Sequence, residues 1–302
     1  DCAGVCGGDS VLSGCDDVCD STLGNDECGI CGGDNSTCSG CTDIIASNYD
    51  EAATFADDSC DYNNGPYSVY FPGNNNDYIS NNSEYYNDIT TNFTMELIAK
   101  PESSITLNSE TNSANNAGED GQRYAIYPGF GGSTGDAGVG ISIGTNGISV
   151  YEHAGGYMPP LLTYSQNLAG FNHYAVVYEN NQPKLYINGI LVHTGLTTNK
   201  TPHPSKNIGG GGTQNDYGHF KGYIDEVRIW DRSLEGDEIS ENMLIEIDPT
   251  IAEGIIGYWR YNEGGGTIAH DISGLNIDGT FQGGVTFSED VFFSSELLTI
   301  FS

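Results

Sequence analysis

All nine cysteines of the chain lie between Cys2 and Cys60, and residues 61–302 contain none. Two means of stabilisation are therefore joined end to end. A short stretch rich in Gly and Asp buries too little apolar surface to hold itself together, so its cysteines must staple it through disulfides or a metal. The cysteine-free remainder must fold on a hydrophobic core of its own. A cysteine-dense segment of this kind implies an oxidising, extracellular or cell-surface setting.

The charge balance narrows the partners. The sequence holds 42 acidic and 9 basic side chains for a net charge of −33, and 18 of the acidic residues precede Lys100, the first basic one. Nucleic acid and acidic membrane surfaces are poor partners, because phosphate binding needs clustered Lys and Arg. Divalent cations are better ones. No apolar run approaches the roughly 20 residues that span a bilayer. The chain starts at Asp1 rather than Met, which predicts that a leader or further sequence precedes it. Four N-x-S/T sequons, at Asn35, Asn81, Asn92 and Asn199, fit an exported glycoprotein.

Residues 1–39 are a Cys/Asp/Gly-rich segment with an internal repeat whose second copy runs on to Cys41. Cys6-Gly-Gly-Asp9 through Cys15 aligns with Cys31-Gly-Gly-Asp34 through Cys41, with one inserted residue and one extra Cys in the second copy. Units this small must stack or be cross-linked. The CGGD cores resemble Cys-Gly-Gly-Asp repeats of many secreted proteins, including the cysteine-rich region of thrombospondin-motif metalloproteinases. In calcium-binding Cys/Asp repeats, carboxyl, amide and carbonyl oxygens wrap the hard cation while Gly allows tight turns. That resemblance makes calcium the expected cofactor and Asp9, Asp16, Asp17, Asp26 and Asp34 its candidate ligands, with solvated turn positions as the alternative. Cys28, Cys31, Cys38 and Cys41 also read C-x2-C-x6-C-x2-C, superficially a zinc thiolate pattern. Its spacer is short for such a site, and exported thiols oxidise.

Residues 40–61 form a second small unit. Gly40-Cys41-Thr42-Asp43, Asn48-Tyr49-Asp50 and Asp57-Asp58-Ser59-Cys60 closely resemble the GCTD…NY…DDGSC repeat of cell-surface proteins of marine Bacteroidetes-type bacteria. The chain departs from it at Ile44, where Pro is usual, and lacks the Gly before Ser59. The resemblance implies a Cys41–Cys60 bridge whose loop closure contributes roughly 3 kcal/mol by restricting the unfolded chain. One of the remaining cysteines is then left over. Residues 62–66, rich in Asn, Gly and Pro, read as a linker.

From Tyr67 onward the pattern turns to β. Short alternating runs recur between Gly/Asn punctuation at 67–71, 93–100, 104–108, 139–143, 148–151, 174–178, 185–187, 190–193 and 223–229. Asn188-Gly189 is the strongest hairpin signal, since a type I′ turn needs two residues that tolerate positive φ. Helix is confined to a short turn near 237–243. So many evenly spaced strands predict an all-β, two-sheet jelly-roll sandwich behind a disulfide-rich, loop-dominated segment.

At this point a resemblance emerges. Phe71-Pro-Gly73 leading to Asp77-Tyr78-Ile79, the Phe93–Pro101 run, Leu185-Tyr-Ile-Asn-Gly189, and above all Gly222-Tyr-Ile-Asp-Glu-Val-Arg-Ile-Trp230 look like the laminin-G-like jelly roll of the concanavalin A/pentraxin type. Gly257-Tyr-Trp-Arg-Tyr-Asn-Glu263 through Asp271-Ile-Ser-Gly274 matches its other signature. The similarity covers residues 67–287. Phe171 stands where Trp is usual, and Glu235 replaces the usual Ser/Thr at a helix cap, which should weaken that cap. Family members often carry calcium at the sheet rim, which makes Asp77 and Asp271 further candidate ligands. The apolar tail 288–302, with Val291-Phe-Phe293 and Leu297-Leu-Thr-Ile-Phe301, either completes its own sandwich or is exchanged into a neighbour as an added strand.

Catalytic patterns are weak. Laminarinase-type hydrolases of this architecture use a Glu-x-Asp-x-(x)-Glu strand, which sets two carboxylates on one face. Glu246-Ile-Asp248-Pro249 is the nearest match, and Pro249 interrupts it. No metal-ligand His spacing, P-loop, nucleophile elbow or dinucleotide fingerprint is present. Asp225 and Glu226 read as strand-orienting residues. The expected function is that of a non-enzymatic extracellular structural or adhesion protein, calcium- and disulfide-stabilised and glycosylated, assembling with itself or other surface proteins into a filament. The alternative is a carbohydrate-binding module of a larger secreted protein.

Overall fold

The computed structural model describes residues 2, 4, 6, 8–9, 11–42, 46–57, 59–61, 65–81, 86–113, 117–129, 134–211 and 217–292. Asp43, Ile44, Asp58, residues 62–64 of the linker and the tail from Phe293 onward lie outside these. The chain divides into two compact units, Asp1–Asn64 and Gly65–Ser302.

In the first unit β1 (Leu12–Ser13) and β2 (Val18–Cys19) form an antiparallel hairpin, and β3 (Ser39–Gly40) runs parallel to β4 (Phe55–Ala56). Only Cys41 and Ala46 are buried among its described residues. With so little buried among the described residues, covalent links hold it: Cys2–Cys19, Cys15–Cys31, Cys28–Cys38 and Cys41–Cys60. Cys15–Cys31 ties the first CGGD repeat to the second. Cys28, Cys31, Cys38 and Cys41 are all consumed in disulfides, which removes the zinc thiolate reading. Cys6 is free and exposed.

The second unit contains β5 (Ser68–Phe71), β6 (Tyr78–Ser80), β7 (Phe93–Pro101), β8 (Tyr124–Ile126), β9 (Asp136–Gly144), β10 (Gly147–His153), β11 (Leu162–Ser165), β12 (Asn172–Glu179), β13 (Gln182–Ile187), β14 (Ile190–Thr194), β15 (Thr201–Pro204), β16 (Gly222–Trp230), α1 (Gly236–Asn242), β17 (Ile255–Trp259), β18 (Ile268–Ala269), β19 (Gly279–Gln282) and β20 (Thr286–Ser288). The large sheet has the order β14-β13-β12-β7-β16-β5-β20, with β17 also on β16. Facing it is β11-β10-β9-β15 with β8 on β9, continued by β18-β19-β6 through bridges from Ile208 to Ile79 and Ile126. The two layers make the jelly-roll sandwich.

Period-two alternation explains the core. Phe93, Met95, Leu97 and Ala99 of β7 meet Val139, Ile141 and Ile143 of β9 and Tyr174, Val176 and Tyr178 of β12 in one buried cluster. Three of the alternate positions of β9 are Gly138, Gly140 and Gly144, because loops lie directly on that outer face. A Cβ at Gly138 would come within 2.1 Å of the Gly129 carbonyl oxygen.

Two elements depart from expectation. Residues 104–108 are not a strand. They belong to an irregular strap held by side-chain and loop bonds rather than a ladder, with Asn146 accepting from Ile105 N–H at 2.9 Å and donating to its carbonyl at 3.0 Å, and Asn108 Nδ2 donating to the Tyr151 hydroxyl at 3.0 Å. Its alternating composition imitates a strand because Ile105 is buried while its neighbours are more open. Conversely, Thr201–Pro204 is a strand despite two prolines, pairing in parallel with Asp136–Val139 of β9. Only an edge position tolerates the missing donors.

Candidate functional site

The outward positions of the large sheet carry the unit's concentrated chemistry, and strand register assembles them. One step inside the sheet face is a buried ionic network. Glu96 of β7 accepts a hydrogen bond from Trp230 Nε1 at 3.0 Å and lies 3.2 Å from His173 Nε2. Arg228 donates to Glu226 Oε2 at 2.7 Å and to the carbonyls of Asn242 at 3.0 Å and Ile245 at 2.6 Å. It thereby pins the end of α1 and the following loop to the sheet. Burial opposes ionisation of Glu96, but the hydrogen bond from His173 and the Arg228 charge hold its carboxyl below the usual range. Asp225 goes the other way: burial first, then the adjacent Glu226 charge, push it well up. The network is a fastening, with Arg228, Glu96, Glu226 and Asp225 all nearly inaccessible.

Next to it lies a half-exposed aromatic row. Lys100 of β7 is level with Tyr223 of β16, Tyr223 with Tyr70 of β5, and Tyr70 with Thr286 of β20. Phe171 precedes Asn172, the partner of Ala99, and so stands beside Lys100 on the other flank. The Tyr70 and Tyr223 ring centroids are 4.9 Å apart, and those of Phe171 and Tyr223 are 6.1 Å apart. The Lys100 ammonium sits between the rings, 4.6 Å from the Tyr223 centroid and 5.3 Å from that of Phe171. It is paired with Asp290, while Phe292 meets the Phe171 ring edge-on at 6.4 Å. Burial, and then the Glu102 charge, raise the Tyr70 phenol. Apolar ring faces flanked by charged and hydroxyl groups can stack on a sugar's C–H face and hydrogen-bond its rim.

The carboxylates singled out from the sequence are mostly engaged in turns. Asp77 accepts from Asn74 N–H and Gly284 N–H, both at 2.7 Å. Asp271 accepts from Tyr258 N–H (2.9 Å), Ser273 N–H (3.0 Å), the Ser273 hydroxyl (2.8 Å) and Ile277 N–H (3.0 Å). In the first unit Asp26 accepts from the amides of Ile30 (2.8 Å) and Asn35 (2.9 Å), Asp16 from Val18 and Asp34 from Ser36. Asp17 holds a left-handed turn at φ 52°, and Asp9 is exposed. Among the described residues no group of three or more His, Cys, Asp or Glu side chains is arranged to hold a metal ion. Among the described residues these Asp side chains do not converge on one cation site. Glu246 pairs with Arg260 and Asp248 caps Thr250, so they do not share a strand face.

Of the sequon residues, Asn92 and Asn199 are exposed. Asn81 donates through Nδ2 to the Lys206 carbonyl at 2.5 Å, and Asn35 accepts from Glu27 N–H at 2.8 Å. The aromatic row escapes a reading of the sequence because its members come from residues 70, 100, 171 and 223. Only their outward parity was visible.

The family model described as Concanavalin A-like lectin/glucanases superfamily matches residues 72–240. Similar solved structures include a candidate carbohydrate-binding protein from Bacteroides ovatus, 18% identical with a TM-score of 0.49, aligned over 74% of this chain and 59% of the other. The chain thus spans less than two thirds of that relative. Domain 4 of the extracellular arabinanase AbnA from Geobacillus stearothermophilus, in complex with arabinotriose, is 17% identical over 58% of this chain and 75% of its own, with a TM-score of 0.36. The sialidase CBM40 domain from Ruminococcus gnavus, bound to α2,3-sialyllactose, is 18% identical over 55% and 95%, with a TM-score of 0.35. No curated protein matches.

Proposed function

Because the chain belongs to the Concanavalin A-like lectin/glucanases superfamily, we propose that its Gly65–Ser302 unit is a non-catalytic carbohydrate-binding module of an extracellular protein. The aromatic row Phe171–Tyr223–Tyr70 with Lys100 at its centre carries this reading. Glycoside cleavage requires two carboxyl groups flanking the scissile bond. The acids that touch the row serve other ends, Asp290 in its pair with Lys100 and Glu102 beside Tyr70. The disulfide-held first unit fits an oxidising exterior, where it would display the module. Titrating the chain with a glycan panel, alone and as Tyr223→Ala, tests the assignment. Binding that the substitution weakens about tenfold is expected; a panel without any ligand refutes it.

Self-association is a second reading, favoured by β14. This strand ends the large sheet and exposes Ile190 and Leu191 by 68% and 48%, a surface on which an added strand could pair. Adhesion and filament formation would follow from it. A sedimentation profile that stays monomeric at high concentration argues against this role.

A further inference from the structure

The row's geometry also speaks to which sugars it takes. We propose that it binds a neutral, extended polysaccharide lying across the strands, one sugar residue over each of its three rings. This rests on the carbohydrate-binding reading above and adds the ligand class.

The length follows from register. Neighbouring strands are about 4.8 Å apart, and Tyr70 and Tyr223 repeat at that interval while Phe171 continues the line past Lys100. A sugar residue in an extended chain has a comparable length, so successive residues can each find a ring. A compact or single sugar would meet only one. Asp290 and Phe292 border the row beside Lys100 and Phe171, and its rings follow one another across neighbouring strands, an arrangement suited to the interior of a long chain rather than to its end.

The charge follows from Lys100. Its ammonium is paired with Asp290 and covered by two aromatic rings, so it offers no uncompensated positive charge. Glu102 adds a negative charge beside Tyr70, and the whole chain carries −33. A uronate or sulfate would have to displace Asp290 against that field. Neutral hydroxyls can instead bond to the Asp290 carboxylate, the Lys100 ammonium and the tyrosine hydroxyls without disrupting the pair.

The test is calorimetric titration of the full chain with neutral β-linked gluco-, xylo- and manno-oligosaccharides of graded length, with oligogalacturonate, and with a sulfated oligosaccharide. Affinity for at least one neutral series should rise with length and level off at about three residues, one per ring spacing. Tyr223→Ala should weaken the trimer about tenfold, as expected for loss of a stacked ring, whereas Tyr223→Phe should retain most of the affinity. Fluorescence of the buried Trp230 and Trp259 reports whether each variant is folded. Stronger binding of an anionic series, still lost in Tyr223→Ala, overturns the ligand class and leaves the row as the site. Glycan binding indifferent to both Tyr223→Ala and Phe171→Ala overturns the row. If no probe binds, the carbohydrate reading itself fails.

Discussion

Glu152 makes stability depend on pH in a direction opposite to that of ordinary acid unfolding. It lies on β10, 1% exposed, and reaches through the sandwich: Oε2 accepts from the Thr198 hydroxyl at 2.7 Å and Oε1 from the Tyr178 hydroxyl of β12 at 3.3 Å. Burial pushes its carboxyl up to about 7 from an ordinary 4.5, outweighing these bonds and the Lys200 charge. Between those values the folded chain holds a proton that the unfolded chain has released. Its contribution is therefore complete below about pH 4.5, falls as pH rises to 7 and is lost above. At 1.36 kcal/mol per pH unit the loss is about 3 kcal/mol. For a domain of this size that corresponds to roughly 6–12 °C in Tm. Glu263, which burial raises to about 6, adds a smaller effect of the same sign. Glu152→Gln is neutral at every pH and forfeits about 1 kcal/mol in an imperfect hydrogen bond. It should match or slightly trail the parent at pH 4.5 and exceed it by about 2 kcal/mol at pH 8. Urea unfolding followed by tryptophan fluorescence at both pH values measures the gap. An identical gap at the two would show that Glu152 is not the titrating group.

Arg228→Met should cost about 3–5 kcal/mol by leaving Glu96 and Glu226 buried without the guanidinium they share, while Asp225→Asn should stay within about 1 kcal/mol. Burial and the Glu226 charge already oppose ionisation of Asp225, and its bond from Glu226 N–H at 2.9 Å survives the change; equal damage from both substitutions, measured by thermal melts, defeats this assignment. Reduction should raise hydrogen exchange throughout residues 1–64 and leave Gly65–Ser302, which has no cysteine, unchanged; loss of protection in the second unit contradicts the division. Asp26→Ala should speed exchange at the Ile30 and Asn35 amides that its carboxylate holds. Added calcium should not slow exchange there in the parent chain, and a clear slowing would mean that the Asp side chains gather around a cation.

The parts of the fold legible in the sequence are those where one strand's alternation suffices. β7, β9 and β12 each announce an inward and an outward face, and Asn188-Gly189 announces the turn that it makes, with φ of 50° and 77°. Relations between strands are a different kind of information. The aromatic row depends on which residue of β5 stands opposite which residue of β16, and the composition of either strand is silent on it. The strap 104–108 misleads for the same reason: alternation marks a half-buried segment but does not say whether a neighbouring strand pairs with it.

β16 shows how a phase error in the sequence encodes structure. Starting from outward Tyr223, strict alternation would turn Val227 and Ile229 outward and Arg228 into the core. Instead Ile224, Val227 and Ile229 all join the core while Arg228 and Trp230 face α1. One extra residue resolves the conflict. Asp225 stands opposite Ile98 and Arg228 opposite Glu96, so three steps on β16 match two on β7. Glu226 takes up the slack at φ 49°, steadied by Arg228 and by the Tyr258 hydroxyl, which donates to it at 2.6 Å. The same bulge lies where the strand's second neighbour changes, β5 along Gly222–Ile224 and β17 along Val227–Trp230. Before it, β16 sends Tyr223 into the aromatic row; after it, Arg228 and Trp230 into the fastening beneath the helix. The paired acids in an apolar strand are thus the price of serving two surfaces with one strand, and the phase shift between Ile224 and Val227 was the readable sign of it.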